Sequence, residues 1–308
     1  MKKTLFILTA ILLFVSCRQK PKPAEADTLT SGKILLACAD NFQNIINAQL
    51  DVFSAHYQQA FIFPLYVSES EAIKMLMDDS VKIAITSRDL NAVENQRLKQ
   101  NQVIRKYLFA FESIAIVANQ ANQDTILSVS TLKKILLGEI TDWKQINPKS
   151  NLGEIKVLFD SKETTILNYL VDSITQATEN LSQNLFYAKG VEDLRDRIAN
   201  QPNAIGILGY NQIGNENTKT YREFTSKTRF MWVKKDENSK PTLPYAGDLN
   251  NGDYPFWRPI YVLLGETRNG LPKSFCFFLT QEVGQKIILK AGLMPVSDPQ
   301  NTFIVVSD

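Results

Sequence analysis

The stretch Leu158–Leu167, LFDSKETTIL, crowds six polar residues, Asp160 to Thr165, between an apolar run and the start of a helical pattern. The first N–H groups of a helix have no partners within it, and the macrodipole leaves that end partly positive. Hydroxyls and N–H groups converging there can hold an anion. The same residues also suit a cap, because Asp160 and Glu163 stand at the Asp-x-x-Glu spacing of a capping-box variant. Both uses are open at this point. Covalent chemistry has less to work with. The single histidine, His56, lies in the helix-like stretch IINAQLDVFSAHYQQ, so there is no His–His metal pair and no evident nucleophile–base pair. It reads as a surface or rim residue. Cys38 and Cys276 sit in the apolar runs KILLACAD and SFCFFL, without zinc or CxxC spacing. They read as two buried small hydrophobes, with a disulfide as the alternative in an oxidising compartment. Neither enzyme activity nor a cofactor is expected.

At 308 residues the chain exceeds the size at which one core usually stops growing, which points to two lobes. Hydrophobic residues make up 44% and charged residues 21%, the balance of an ordinary globular protein. Lys2 and Lys3 account for the formal charge of +2: without them the 34 basic residues become 32, equal to the 32 acidic ones. Binding to nucleic acid usually leaves a basic patch or stripe, so no such partner is expected and any anion site is local. Lys2 and Lys3 precede the apolar run Leu5–Val15, which is too short to span a bilayer, and the run ends FVSC at Cys17. That is the layout of a signal peptide over 1–16. The small residue directly before Cys17 resembles the lipobox of bacterial lipoproteins, which implies a lipidated Cys17 followed by a polar, Pro-containing tether over 17–32.

From Lys33 the pattern alternates. KILLACA reads as a strand, followed by a helix with Ile45, Ile46, Gln49, Leu50, Phe53 and Tyr57 on one face. FIFPLYV is a second strand, whose Pro64 suits an edge or a bulge. SESEAIKMLMDD opens with the capping-box pair Ser68 and Glu71 and buries Ile73, Leu76 and Met77. VKIAIT is a third strand, followed by a polar helix to about Gln102. Such a βαβαβ run builds a mostly parallel sheet covered by helices. RKYLFA and ESIAIVAN read as two more strands, and VSTLKKILLGEITDW as a helix that Gly138 ends. The strand EIKVLF leads through the polar loop into a helix with the face Ile166, Leu167, Leu170, Val171 and Ile174. VEDLRDRIANQ is a further helix and NAIGILGYNQI a strand and turn, after which 215–255 is hairpin-like. FWRPIYVLL closes the strands and PKSFCFFLTQEVGQKIILKAG reads as one helix. Tyr254, Phe256, Trp257 and Tyr261 read as core or lobe-interface packing.

Several of these stretches, in order, resemble the periplasmic phosphate-binding proteins of ABC transporters. TLKKILLGEITDWKQINP carries that family's Gly-x-Ile-x-x-Trp turn, and PNAIGILGY resembles its Pro-Gly-Ala-Ile-Gly-Tyr strand. WRPIYVLL and FFLTQEVGQKIILKAGLMPV resemble its last strand and helix, with the pair Gly284–Gln285 and the Gly-x-x-Pro of Gly292 to Pro295. The resemblance covers most of 33–297. It implies an α/β type II periplasmic-binding-protein fold: mixed, mostly parallel sheets with helices on both faces, in two lobes around a hinged cleft. In such a cleft helix starts, hydroxyls, an Arg and an Asp hold a dehydrated phosphate. Mapped onto this chain, Asp40 and Asn41 stand in the first loop, Ser68 and Ser70 in the second, and Ser87 and Arg88 in the third. Ser87 would donate a hydroxyl and Arg88 a bidentate fork. Asp160, Ser161, Thr164 and Thr165 stand in the opening loop, where the family's Arg is Leu158 and its Ser-Gly is Lys162–Glu163.

One lobe would comprise 33–113 with 228–308, and the other 114–227. The resemblance further implies a monomer, anchored by lipid to the membrane through Cys17 on the periplasmic side of the bacterial cell envelope. It would capture inorganic phosphate or a similar oxyanion and deliver it to an ABC permease, with no catalysis. Two alternatives keep the fold: a receptor for a different small anion, and a non-transport lipoprotein acting as a sensor or interaction module.

Overall fold

One long strand, Arg105–Asn119, ties the molecule together, because its two halves pair with different neighbours. The computed structural model describes residues 27–98, 103–162, 165–175, 181–214 and 216–297. The signal peptide, Cys17, most of the tether, Glu163 and Thr164 lie outside the described residues.

In chain order the first elements are β1 (Ser31–Ala39), α1 (Gln43–His56), β2 (Gln59–Val67), α2 (Glu69–Met77), β3 (Ile83–Thr86), α3 (Ala92–Gln96) and β4 (Arg105–Asn119). Next come β5 (Ile126–Ser128), α4 (Val129–Leu136), β6 (Lys156–Phe159), α5 (Ile166–Leu170), β7 (Leu185–Tyr187), α6 (Val191–Asn200) and β8 (Ala204–Gly209). The chain continues through α7 (Lys219–Lys227), β9 (Thr228–Phe230), β10 (Trp232–Lys234), α8 (Ala246–Asn250) and β11 (Trp257–Leu264), ending with α9 (Leu271–Thr280), α10 (Glu282–Lys290) and β12 (Met294–Pro295).

The main sheet runs β2-β1-β3-β11-β4-β8-β6-β7, with β9 and β12 also paired to β4. β1 is parallel to β2 and β3, and β6 is parallel to β7 and β8, whereas β11 and β8 run antiparallel to β4. Pro64 is accommodated because β2 is the edge strand. Residues 105–113 of β4 pair with β11 and residues 114–118 with β8, so the polypeptide passes from one half-sheet to the other within a single strand.

Each half has apolar packing on both faces of its sheet. In the first half, Leu36, Phe53 and Phe275 bury one face under α1 and α9, while Ala37, Ile73 and Leu76 bury the other under α2. In the second, Trp143, Phe159 and Leu170 form one cluster and Leu158, Leu194 and Ile198 the other. Cys38 and Cys276 are both buried in the first core as free thiols. His56 is exposed at the end of α1. Gly138 ends α4 with φ 74°, the left-handed conformation that a C′ glycine adopts at little cost. Tyr254 and Phe256 are core residues of the second half.

The structure departs from the pattern reading in four places. RKYLFA and ESIAIVAN are one strand: the polar pair Glu112–Ser113 interrupts the apolar run without breaking the ladder. PKSFCFFLTQEVGQKIILKAG is two helices, divided at Gln281, whose extended backbone (φ −90°, ψ 172°) stops α9 and caps α10. Within the hairpin-like segment lies α7, capped by Thr218, which accepts from Tyr221 N–H. Finally, the chain beyond 227 stays with the second half: β9 pairs with Val117–Asn119, and the return to the first half comes between Phe256 and Trp257.

Candidate functional site

Where β4 changes partners, polar residues of both halves meet out of solvent. Arg258 on β11 lies opposite Glu112 on β4 in the antiparallel register, and both side chains are fully buried. Arg258 Nε donates to Glu112 Oε2 at 2.7 Å. Nη2 lies 2.7 Å from the same oxygen, close enough for an ion pair but not aligned for a hydrogen bond. Glu112 Oε1 accepts from the backbone N–H of Asn211 at 3.3 Å and from its side-chain amide. Gly209 makes room for this arrangement, since a Cβ there would collide with the Glu112 carboxylate. The guanidinium also stacks over Phe42, 5.1 Å from the ring centre.

The remaining Arg258 nitrogen reaches the second half, where Nη1 donates to Thr165 Oγ1 at 2.7 Å. Thr165 precedes α5, yet its hydroxyl makes no capping bond, so it is free to face the first half. There it meets Ser87 Oγ at 3.1 Å. Ser87 in turn donates both its hydroxyl, at 2.8 Å, and its N–H to Oε1 of Glu69, a glutamate only 4% exposed at the first turn of α2. Guanidinium, two hydroxyls and a carboxylate thus form one chain linking the two halves.

The sequence-derived site residues fall into three groups. Ser87 and Thr165 come together in that chain. Asp40 and Asn41 line an open recess of ≈450 Å³ with Lys189, Gly190 and Gln212, and Gln212 Nε2 donates to Asp160 Oδ2 at 2.7 Å. Asp160 is 4% exposed, its carbonyl accepts from Gly190 N–H, and Ser161 follows it half-buried. The others are engaged elsewhere. Ser68 caps α2 by accepting from Glu71 N–H at 3.3 Å, and Ser70 is exposed. Arg88 turns its fork onto Glu94, at 2.7 and 2.9 Å, which holds the Glu94 carboxyl below its ordinary value. Leu158 packs in the core of the second half, and Lys162 is exposed.

Two residues at the heart of this chain escaped the pattern reading. Glu69 was hidden between the serines of SES, and Arg258 lay inside an apolar strand. Arg258 brings a cation to the opening loop, at the place where the motif has none at Leu158. Among the described residues no group of three His, Cys, Asp or Glu side chains could hold a metal ion, and no helix is long and apolar enough to cross a membrane.

Residues 23–283 match the model of the PBP superfamily domain. The phosphate-binding protein PstS of Bacillus subtilis (strain 168) is 22% identical over 282 residues, covering 91% of this chain and 86% of that protein. Among solved structures, an ABC-type phosphate transport receptor from Vibrio cholerae superimposes with a TM-score of 0.66 at 20% identity, over 86% of this chain and 100% of that one. A high-affinity periplasmic phosphate-binding protein solved with bound phosphate gives a TM-score of 0.64 at 16% identity, over 86% and 90% of the two chains. The two half-sheets joined through β4 are those of the type II periplasmic-binding-protein fold, and the chain belongs to the PBP superfamily.

Proposed function

We propose that this protein is a substrate-binding protein that captures inorganic phosphate, or a closely similar oxyanion, between its two halves and delivers it to an ABC permease. The observation that carries the reading is the link from Arg258 through Thr165 to Ser87, which puts a buried cation and two hydroxyls from opposite sides of the cleft within hydrogen-bond reach of one another. An oxyanion entering between Thr165 and Ser87 meets N–H and O–H donors in a region of low dielectric, where charge-assisted bonds are strong. The relatives named for phosphate binding support this ligand. Ser87, Thr165 and Arg258 are its first partners in this proposal. The halves act as lobes that close on the ligand, hinged at the two crossings, Ser113–Ile114 and Phe256–Trp257. Cys17 carries the lipid that anchors a monomer to the envelope membrane on its periplasmic side, and no catalytic step is involved.

One observation favours a second reading, a lipoprotein of the same fold with a weakened site. Glu69 already accepts both donors of Ser87, and the opening-loop position 158 is a core leucine. A thermal melt of the chain from about residue 27, with phosphate or sulfate added, separates the two. A ligand at 100 times its dissociation constant adds about 2.7 kcal/mol, which at this size raises the melting temperature by several degrees. A shift with phosphate supports the transport receptor; none with either anion supports the weakened site.

A further inference from the structure

We propose that the outer face of the β1–β2 edge rests on the membrane that carries the lipid anchor, with Leu35, Phe61 and Phe63 at the boundary of headgroups and acyl chains and Lys33 on anionic phosphate. The inference rests on the lipid-anchor reading above and specifies how the folded body sits on its membrane.

β1 and β2 run parallel, with Lys33 opposite Phe61 and Leu35 opposite Phe63. Alternation along a strand puts these four side chains on one face of the sheet. That face is covered only farther along, where α2 packs over Ala37 with Leu65 and Val67 at the rim. Leu35, Phe61 and Phe63 remain 43%, 48% and 50% exposed, and Leu29, just before β1, is 46% exposed. The Lys33 ammonium lies 5.9 Å from the centre of the Phe61 ring. It is the one charged side chain in the two strands, and neither strand carries a carboxylate. Single exposed apolar residues are ordinary, but a contiguous group of them marks an interaction surface. Aromatic and aliphatic side chains beside a lysine that can extend its charge outward suit a lipid interface, where apolar burial and attraction to anionic headgroups add.

The occupant follows from where the tether joins the folded body. Asp27, ten positions after Cys17 (17 to 27), is seated beside this face. Arg268 donates to it twice, through Nη1 to the carbonyl at 2.7 Å and through Nη2 to Oδ1. Leu271 N–H, at the start of α9, donates to Asp27 Oδ2 at 2.6 Å. Glu266 steadies Arg268 by accepting from its Nε at 2.9 Å. Gly32 packs so closely that a Cβ there would lie 2.5 Å from the Asp27 Cβ, and Lys33 and Phe61 come next in register. The point of attachment is therefore fixed against the same end of β1 that carries the exposed side chains. Ten residues span at most about 36 Å, so the anchor keeps this end near the membrane. A short tether also gives an effective concentration on the order of millimolar, so a face too small to hold a free protein suffices for an anchored one. A second copy of the chain fits the face less well. β2 is an edge strand, but Pro64 has no N–H and interrupts the edge along which another strand would pair.

The test is fluorescence quenching on the full lipidated chain, reconstituted in vesicles of phosphatidylethanolamine with phosphatidylglycerol. An environment-sensitive label is placed at Phe63→Cys or, as the control, at Lys219→Cys on α7 of the second half, whose native side chain is 83% exposed. The native Cys38 and Cys276 are buried and do not compete for it. We expect aqueous iodide to quench the label at position 63 severalfold less on vesicles than in the chain from residue 27 free in solution, with its emission shifted to the blue. The label at position 219 should be quenched equally in both. Adding Phe61→Ser should restore most of the quenching at position 63 while the chain stays on the vesicles. Equal quenching of the label at position 63 on vesicles and in solution, with the chain retained by its lipid, overturns the inference and leaves the anchor reading standing. A label at position 63 that is already shielded in the free chain, in a dimer detected by sedimentation, gives the face to a second copy and overturns the membrane as its occupant. A full chain whose Cys17 carries no lipid by mass spectrometry, and which does not stay with the vesicles, overturns the anchor reading and this inference with it.

Discussion

Ser87 Oγ and Thr165 Oγ1 stand 3.1 Å apart, from residues 78 positions distant in sequence and in different halves of the molecule. Neither hydroxyl caps a helix: the Thr165 side chain makes no capping bond, and Ser87 lies in the loop after β3. What holds them together is charge at the two ends, Arg258 behind Thr165 and Glu69 behind Ser87. In the proposed function, an oxyanion held between the halves takes the place of this middle bond.

The Arg258–Glu112 pair should respond very differently to single and double replacement. Arg258→Ala leaves the Glu112 carboxylate buried with amide partners only, and should cost about 3–5 kcal/mol of unfolding free energy. Replacing both, as Arg258→Met with Glu112→Leu, removes the stranded charge and should recover most of that loss, while phosphate affinity stays low. Urea unfolding of the single and double variants checks this, and a double variant no more stable than Arg258→Ala would show that the pair is not a coupled unit.

Arg88 should matter little to the ligand, even though TSRD is the stretch of sequence that most invites an anion-binding arginine. Its fork is engaged by Glu94 and its side chain is 35% exposed, a setting in which ion pairs are worth about 0–1 kcal/mol. Arg88→Ala is expected to change the phosphate dissociation constant by less than about fivefold, within that same range. A much larger loss by calorimetry would put Arg88 on the ligand.

Gly209→Ala tests the packing that holds Glu112. The added methyl has no space beside the carboxylate and must displace it from Asn211 and Arg258. Overpacking of this kind typically costs about 1–3 kcal/mol. Thermal unfolding reads the loss, and an unchanged melting temperature would mean that the Glu112 carboxylate can move freely.

The thiols should be silent. Burial pushes Cys276 up to about 12 and raises Cys38 well above the ordinary thiol value, with Asp40 adding to the effect at Cys38. Because the thiolate is the reactive form, labelling of the folded chain by a thiol reagent should remain slow as the pH rises from neutral through the range where exposed thiols ionise. Both sites should label quickly once urea unfolds the protein. Fast labelling of the native chain would contradict the burial.

The fold was legible in the sequence because most elements announce themselves locally. The apolar period of α1, the Ser68 cap and the Gly138 stop each depend on neighbours within a few residues. The site was less legible because its chemistry is assembled by register. Arg258 reads as an oddity in FWRPIYVLL until β11 is laid against β4 and Glu112 appears opposite it, 146 residues away in sequence. The same Glu112–Ser113 pair looked like a strand end, since a polar pair inside an apolar run usually is one. Only the partners that arrive from β11 and from the turn after β8 make the uninterrupted strand affordable. Glu69 was masked by a local pattern that is genuine: Ser68 does cap α2, and the residue beside it turns inward to Ser87.

The central claim is that an oxyanion binds where Thr165 meets Ser87. The most direct measurement is a calorimetric phosphate titration of Thr165→Val beside the unaltered chain, with thermal melts of both in the absence of ligand. The account predicts a loss in affinity of about tenfold or more, the equivalent of about 1.4 kcal/mol, with the unliganded fold intact. Equal phosphate affinity in the two proteins would contradict it and move the ligand away from this pair.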